Sequence, residues 1–137
     1  MTTFAAARDA GHLSPDSQVN PQHIADDLDR FAQRLDELEK EIERATMILN
    51  DTEDAWLEVF DAVGESLRTE YQERGRKTDP AEHVIESEAR RQNRLVWTNH
   101  RRAKRAVALL ETQIRAVTAA LSACQSRAKA TAAESWR

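Results

Sequence analysis

Few side chains in this 137-residue sequence are of the types that perform chemistry, and their spacing decides what each can do. The histidines are His12, His23, His83 and His100, and the one cysteine is Cys124. A zinc site needs about four nitrogen or sulfur ligands brought together by short, regular spacings. The histidines share no such spacing with each other or with Cys124, and no E-x-x-H occurs on the predicted helices, so the reading holds no metal. Three glycines in the whole chain leave no glycine-rich loop to cradle a phosphate. Cys124 has no second cysteine to pair with, and a lone thiol on an apolar helix face behaves as a small core residue. Carboxylates are plentiful between residues 26 and 73, but they lie along a solvated face rather than around a pocket. The expectation is therefore a protein that is not an enzyme, with no cofactor and no small-molecule substrate.

One stretch does stand out. "RRQNRLVWTNHRRAKR", residues 90–105, holds seven bases, no acid and a tryptophan. Such a face suits two chemistries. Arg90, Arg91, Arg94, Arg101 and Arg105 could follow a phosphate backbone, while Trp97 among Arg94 and Arg101, with Leu57 and Phe60 on the neighbouring helix, has the make-up of a protein-binding hot spot. The net charge of −4 and pI near 5.6 run against nucleic acid as the first choice.

The elements that carry these residues follow from hydrophobic period. From Ile24, apolar or small residues fall at Leu28, Phe31, Leu35, Leu38, Ile42, Ala45, Leu49, Thr52, Trp56, Val59 and Val63, in alternating steps of four and three. That is a heptad seam. Asn20 before Pro21 supplies a cap and a first-turn proline, Gly75 a stop, and Asp79 with Pro80 a second start. The pattern predicts a helix over 21–74, a turn over 75–80 and a second helix over 81–131, with a flexible segment at 1–20 and a tail at 132–137. "NDTED" at 50–54 could break the first helix, but the heptad phase passes through Thr52 unbroken. On the second helix the seam reads Ile85, Ala89, Gln92, Val96, Asn99, Ala103, Ala106, Leu110, Ile114, Val117, Leu121, Cys124, Ala128 and Thr131. The two steps of four from 106 to 114 form a stutter. In this phase Trp97 faces outward and His100 flanks the seam as a satisfied interfacial side chain.

Two long helices joined by a short turn fold back on each other, so the expected fold is all-α: a long antiparallel two-helix coiled-coil hairpin of about 80 Å at 1.5 Å per residue. Phe31 should lie level with Cys124, Trp56 with Asn99 and Val63 with Gln92. Residues 20–73 carry sixteen acids against five bases, and residues 81–137 five acids against eleven bases. The register sets Asp51, Glu53, Asp54, Glu58, Asp61 and Glu65 beside the basic run, a charge match that disfavours slipped pairings. Apolar residues off the seam call for cover, which predicts pairing into a four-helix arrangement as a homodimer or higher oligomer, or docking on a protein partner.

The words "VWTNHRRAK" and "LDELEKEI" resemble the recognition helix and first helix of homeodomains. The resemblance covers under twenty residues, with Thr98 and His100 in place of the family's core phenylalanine and base-reading asparagine. Hairpin transcription factors of the Gre and DksA types place acids at the tip, where this chain has Arg74, Arg76 and Lys77. Neither likeness supports a family. With no apolar run long enough to cross a bilayer and no basic, apolar leader, the expectation is a cytoplasmic protein, or a virion-associated one if phage-encoded, with no membrane partner. The functional expectation is an adaptor, structural component or assembly factor that binds a protein through Trp97, Leu57 and Phe60. The alternatives are nucleic-acid binding by the second helix, in the manner of small RNA-binding helical hairpins, or an acidic first helix that mimics DNA toward a host protein.

Overall fold

The computed structural model describes residues 21–135, so the expectations for residues 1–20 and for Asn20 as a cap lie outside the described residues. Over the described residues the fold is an all-α helical hairpin of three helices: α1 (Pro21–Glu73), α2 (Glu82–Gln92) and α3 (Arg94–Ser135). α1 runs through "NDTED" without a break. Every residue of its predicted seam, from Ile24 to Val63, is buried or half-buried. α3 continues past Thr131, where the pattern places its end.

The turn is built by Gly75. Its φ of 73° is a left-handed conformation open to a residue without Cβ, and it closes α1 in a Schellman motif. The amide of Arg76 donates to the Tyr71 carbonyl at 2.9 Å, and that of Gly75 to the Gln72 carbonyl at 3.0 Å. The start of the second arm differs from expectation. Ala81, not Asp79, is the N-cap, and Val84 and Ile85 donate to its carbonyl at 3.0 and 3.2 Å. Pro80 is buried ahead of the helix instead of opening it.

The second arm is also broken where one continuous helix is predicted. Asn93 sits at φ −132°, ψ 57°, outside helical values, and separates α2 from α3. Its amide still donates to Ala89 at 2.9 Å, and its carbonyl accepts from Trp97 at 3.1 Å. Asn93 thus ends one helix and occupies the capping position of the next, a place that suits asparagine better than a helix interior. The break moves the seam. Beyond it the inward stripe is Val96, His100, Ala103, Val107, Leu110 and Ile114, while Gln92, Asn99 and Ala106 are exposed. The two successive steps of four fall at 85, 89 and 93, at the break itself, and not at 106–114.

By packing, the chain forms two compact units. One takes the described residues up to Glu43 and from Leu109 on; the other is Arg44–Ala108. In the first, Ile24, Phe31 and Cys124 are buried together, with Leu28, Val117, Ala120, Leu121 and Ala128 packed around them. Leu38 is wholly buried as well. Phe31 does meet Cys124, as the register expects. In the second, Trp56, Val63, Ile85 and Ala89 form the core, lined by Val59, Phe60, Leu67, Val96 and Trp97. Here Trp56 meets Trp97 instead of Asn99, and Val63 meets Ile85 and Ala89 instead of Gln92, because the stripe has turned at Asn93.

Composition adds one further correction. By length and composition alone, α3 contains a segment apolar enough to cross a membrane, with mean hydropathy 1.2 within Arg94–Glu134. The sequence reading finds no such run because Glu111 and Arg115 interrupt the apolar residues around them.

Candidate interaction surfaces

The unit Arg44–Ala108 presents two unlike flanks. On one, Trp56 and Trp97 lie with ring centroids 4.9 Å apart, Phe60 follows at 6.4 Å from Trp56, and His100 at 6.5 Å from Trp97. The guanidinium of Arg90 sits 4.1 Å from the Trp97 ring centroid and that of Arg101 5.9 Å from it. These are cation–π distances, so the outer edge of Trp97 is occupied by its own arginines. Trp97 and Phe60 are half-buried in the core of this unit, where the sequence reading points Trp97 outward. Leu57 alone of the three expected contact residues is largely open, at 49% exposure.

The basic run divides in two. Arg90 is held by Glu86 at 2.7 Å and Arg91 by Glu88, whereas Arg94, Arg101, Arg102, Lys104 and Arg105 are exposed and join no ion pair among the described residues. No ion pair among the described residues joins α1 to the second arm; each links side chains three to seven positions apart, from Asp27–Arg30 to Glu88–Arg91. The expected answer of six acids on α1 to seven bases on the second arm is therefore absent among the described residues. Side chains three or four apart on one helix already lie within reach, and each exposed pair gains little from the longer stretch across a seam.

The opposite flank of the same unit is a groove. Thr52 and Ala55 on α1 face Asn99, Ala103 and Ala106 on α3, with Asp51 on one rim and Arg102 on the other. Ile48 also lines it at 58% exposure, and Leu95, in the same heptad stripe as Arg102, is 72% exposed. Sequence reasoning misses this groove because the predicted seam runs straight through Asn99 and Ala106, which the turn at Asn93 brings out to solvent. A second shallow cleft, in the other unit, is lined by apolar and small residues such as Ile24, Leu28 and Ala128.

The chemistry-bearing groups are placed as follows. His100 is buried, and neither ring nitrogen has a hydrogen-bond partner, contrary to the satisfied side chain expected. The Cys124 thiol is buried and donates to the Ile24 carbonyl at 3.6 Å. Burial pushes its pKa up, and the charge of Asp27 adds to the shift. Among the described residues no three histidines, cysteines or carboxylates gather closely enough to hold a metal ion.

No family model matches the chain, and neither a curated protein nor a solved structure is significantly similar to it.

Proposed function

We propose that this chain is a non-enzymatic interaction protein, a coiled-coil hairpin that serves as an adaptor, structural component or assembly factor by binding a protein partner. The observation that carries this reading is the Ile48–Ala106 groove. Small side chains along a cleft between two helices, with large apolar side chains exposed at its edges, make a shape into which another helix packs. The flank around Trp97, Phe60 and Leu57 is the weaker choice, since its aromatic surface is already spent on the protein's own core and arginines. The test is affinity capture by the tagged full chain from lysate of its source cells, with and without nuclease. A stoichiometric protein that resists nuclease is expected, lost with Ala106→Trp, which fills the groove, and kept with Trp97→Ala. Loss with Trp97→Ala and retention with Ala106→Trp would return the contact to the aromatic flank.

The second reading, nucleic-acid binding, draws support from Arg94, Arg101 and Arg105, which are exposed and join no ion pair among the described residues. It predicts binding that falls steeply with salt and with Arg94→Glu plus Arg101→Glu; binding indifferent to both would sink it.

A further inference from the structure

The geometry points to a second copy of this chain as the occupant of the Ile48–Ala106 groove, the two copies related by a two-fold axis parallel to the helices of this unit. The inference rests on the groove reading above and names its partner.

A two-fold interface uses one patch twice, so the patch must complement itself. This groove does. Its α1 rim carries Asp51 and its α3 rim carries Arg102. Both are exposed, and neither joins an ion pair among the described residues. Asp51 and Arg102 also sit at one level, because both border the cleft lined by Thr52 and Asn99. A two-fold axis along the helices keeps levels and exchanges helices. It therefore lays Asp51 over Arg102 of the partner subunit and Arg102 over Asp51 of the partner subunit. The other symmetric stacking, with the axis across the hairpin, lays α1 over α1. That would bring the acids of residues 51–61 against their own copies, with like charges side by side.

The apolar surface fits the same arrangement. Ile48 lines the groove level with Ala106, and exchange of helices brings it toward Ala106 of the partner subunit. Alanine and threonine on the groove floor allow the helix axes to approach to about 8 Å. An exposed large hydrophobic side chain, Ile48, would thereby leave water without disturbing the core that Trp56 anchors.

Sedimentation equilibrium on the full chain tests this. The expected mass is twice the 15.6 kDa of one chain. Asp51→Arg and Arg102→Asp should each weaken self-association about tenfold or more when alone, by setting like charges together. Mixing these two variants should restore the dimer, since the mixed pair again has opposite charges at both contacts. Circular dichroism on each variant separates lost association from lost helix. A monomer mass at every concentration, or a dimer indifferent to both reversals, overturns the inference. If the chain is monomeric and Ala106→Trp still abolishes capture of a different protein, the groove reading stands and only its occupant is wrong. If a dimer forms and survives Ala106→Trp, the dimer lies elsewhere and this inference fails, while the groove reading is decided by capture of a different protein.

Discussion

The two units bury different kinds of surface. The one that holds the ends of the described chain packs a single aromatic ring, Phe31, among aliphatic residues: Ile24, Phe31, Leu38 and Cys124 are buried, and the thiol has a carbonyl to donate to. Its unpartnered buried atoms are one oxygen of Asp27, whose other oxygen accepts from Arg30 at 3.0 Å, and one nitrogen of Arg127. The unit Arg44–Ala108 is aromatic, breaks its second arm at Asn93 and buries His100 with both nitrogens unpartnered. The break and the unpartnered imidazole each cost stability, while the aromatic core supplies it. Both fall in the unit that also carries the groove and the arginines that join no ion pair among the described residues.

The largest expected effect tests how far the aromatic unit depends on one side chain. Trp56→Ala removes the ring that joins Val63, Ile85 and Ala89 to Phe60 and Trp97, and should cost about 3–5 kcal/mol in urea unfolding. Leu38→Ala, at a site with no exposed surface, should cost about 2–5 kcal/mol. Hydrogen exchange makes the comparison sharp. Trp56→Ala should accelerate exchange chiefly within Arg44–Ala108, and Leu38→Ala chiefly in the residues up to Glu43 and beyond Leu109. Equal acceleration everywhere after either change would mean that the units open as one, and the contrast would be one of composition alone.

Much of this was legible from period alone. The seam of α1 is correct at each position because alternating steps of four and three persist for almost the whole helix, and Gly75 supplies the only conformation that the closing turn needs. The second arm was harder for a physical reason. Val96, Ala103 and Leu110 fit two phases equally well, one through Asn99 and Ala106 and one through His100 and Val107. Alternation cannot choose between them when the competing residues are small or polar. The better apolar character of Val107 over Ala106, and an asparagine at 93 amid helix formers, are the signals that favour the observed phase. The candidate site suffered most from this ambiguity, since one wrong phase exposes Trp97, hides the groove and pairs charges across helices that instead pair along them.

His100 offers a smaller test of the same contrast. Its ring is buried yet neither nitrogen is hydrogen-bonded, and an unpaired buried polar group costs about 1–3 kcal/mol. His100→Leu keeps the seam position apolar and should therefore raise the urea midpoint, in contrast to the two truncations. A fall in stability would show that the imidazole makes a compensating contact, and would remove one of the three features that set the aromatic unit apart.

The smallest effect concerns α2, the short helix that leads into the break. Its exposed face is tied by Arg90–Glu86 and by Arg91 and Gln92 on Glu88. The hydrogen bond from Arg91, followed by that from Gln92, holds the Glu88 carboxyl at about 2, well below the ordinary 4.5. A carboxyl whose pKa is lower in the folded state contributes stability above its unfolded value, and that contribution fades as the pH falls through the folded one. The window is thus from about 4.5 down to about 2. Because the pair is exposed, salt should weaken it. A carboxyl-carbon NMR titration should find Glu88 titrating below the other glutamates, and Arg91→Gln should return it toward 4.5 while leaving the buried core of either unit unchanged. A Glu88 that titrates normally in the unaltered protein would mean that α2 is held by Ile85 and Ala89 on the Trp56 core alone, and the unit's surface charges would then be free to answer a partner instead of their own helix.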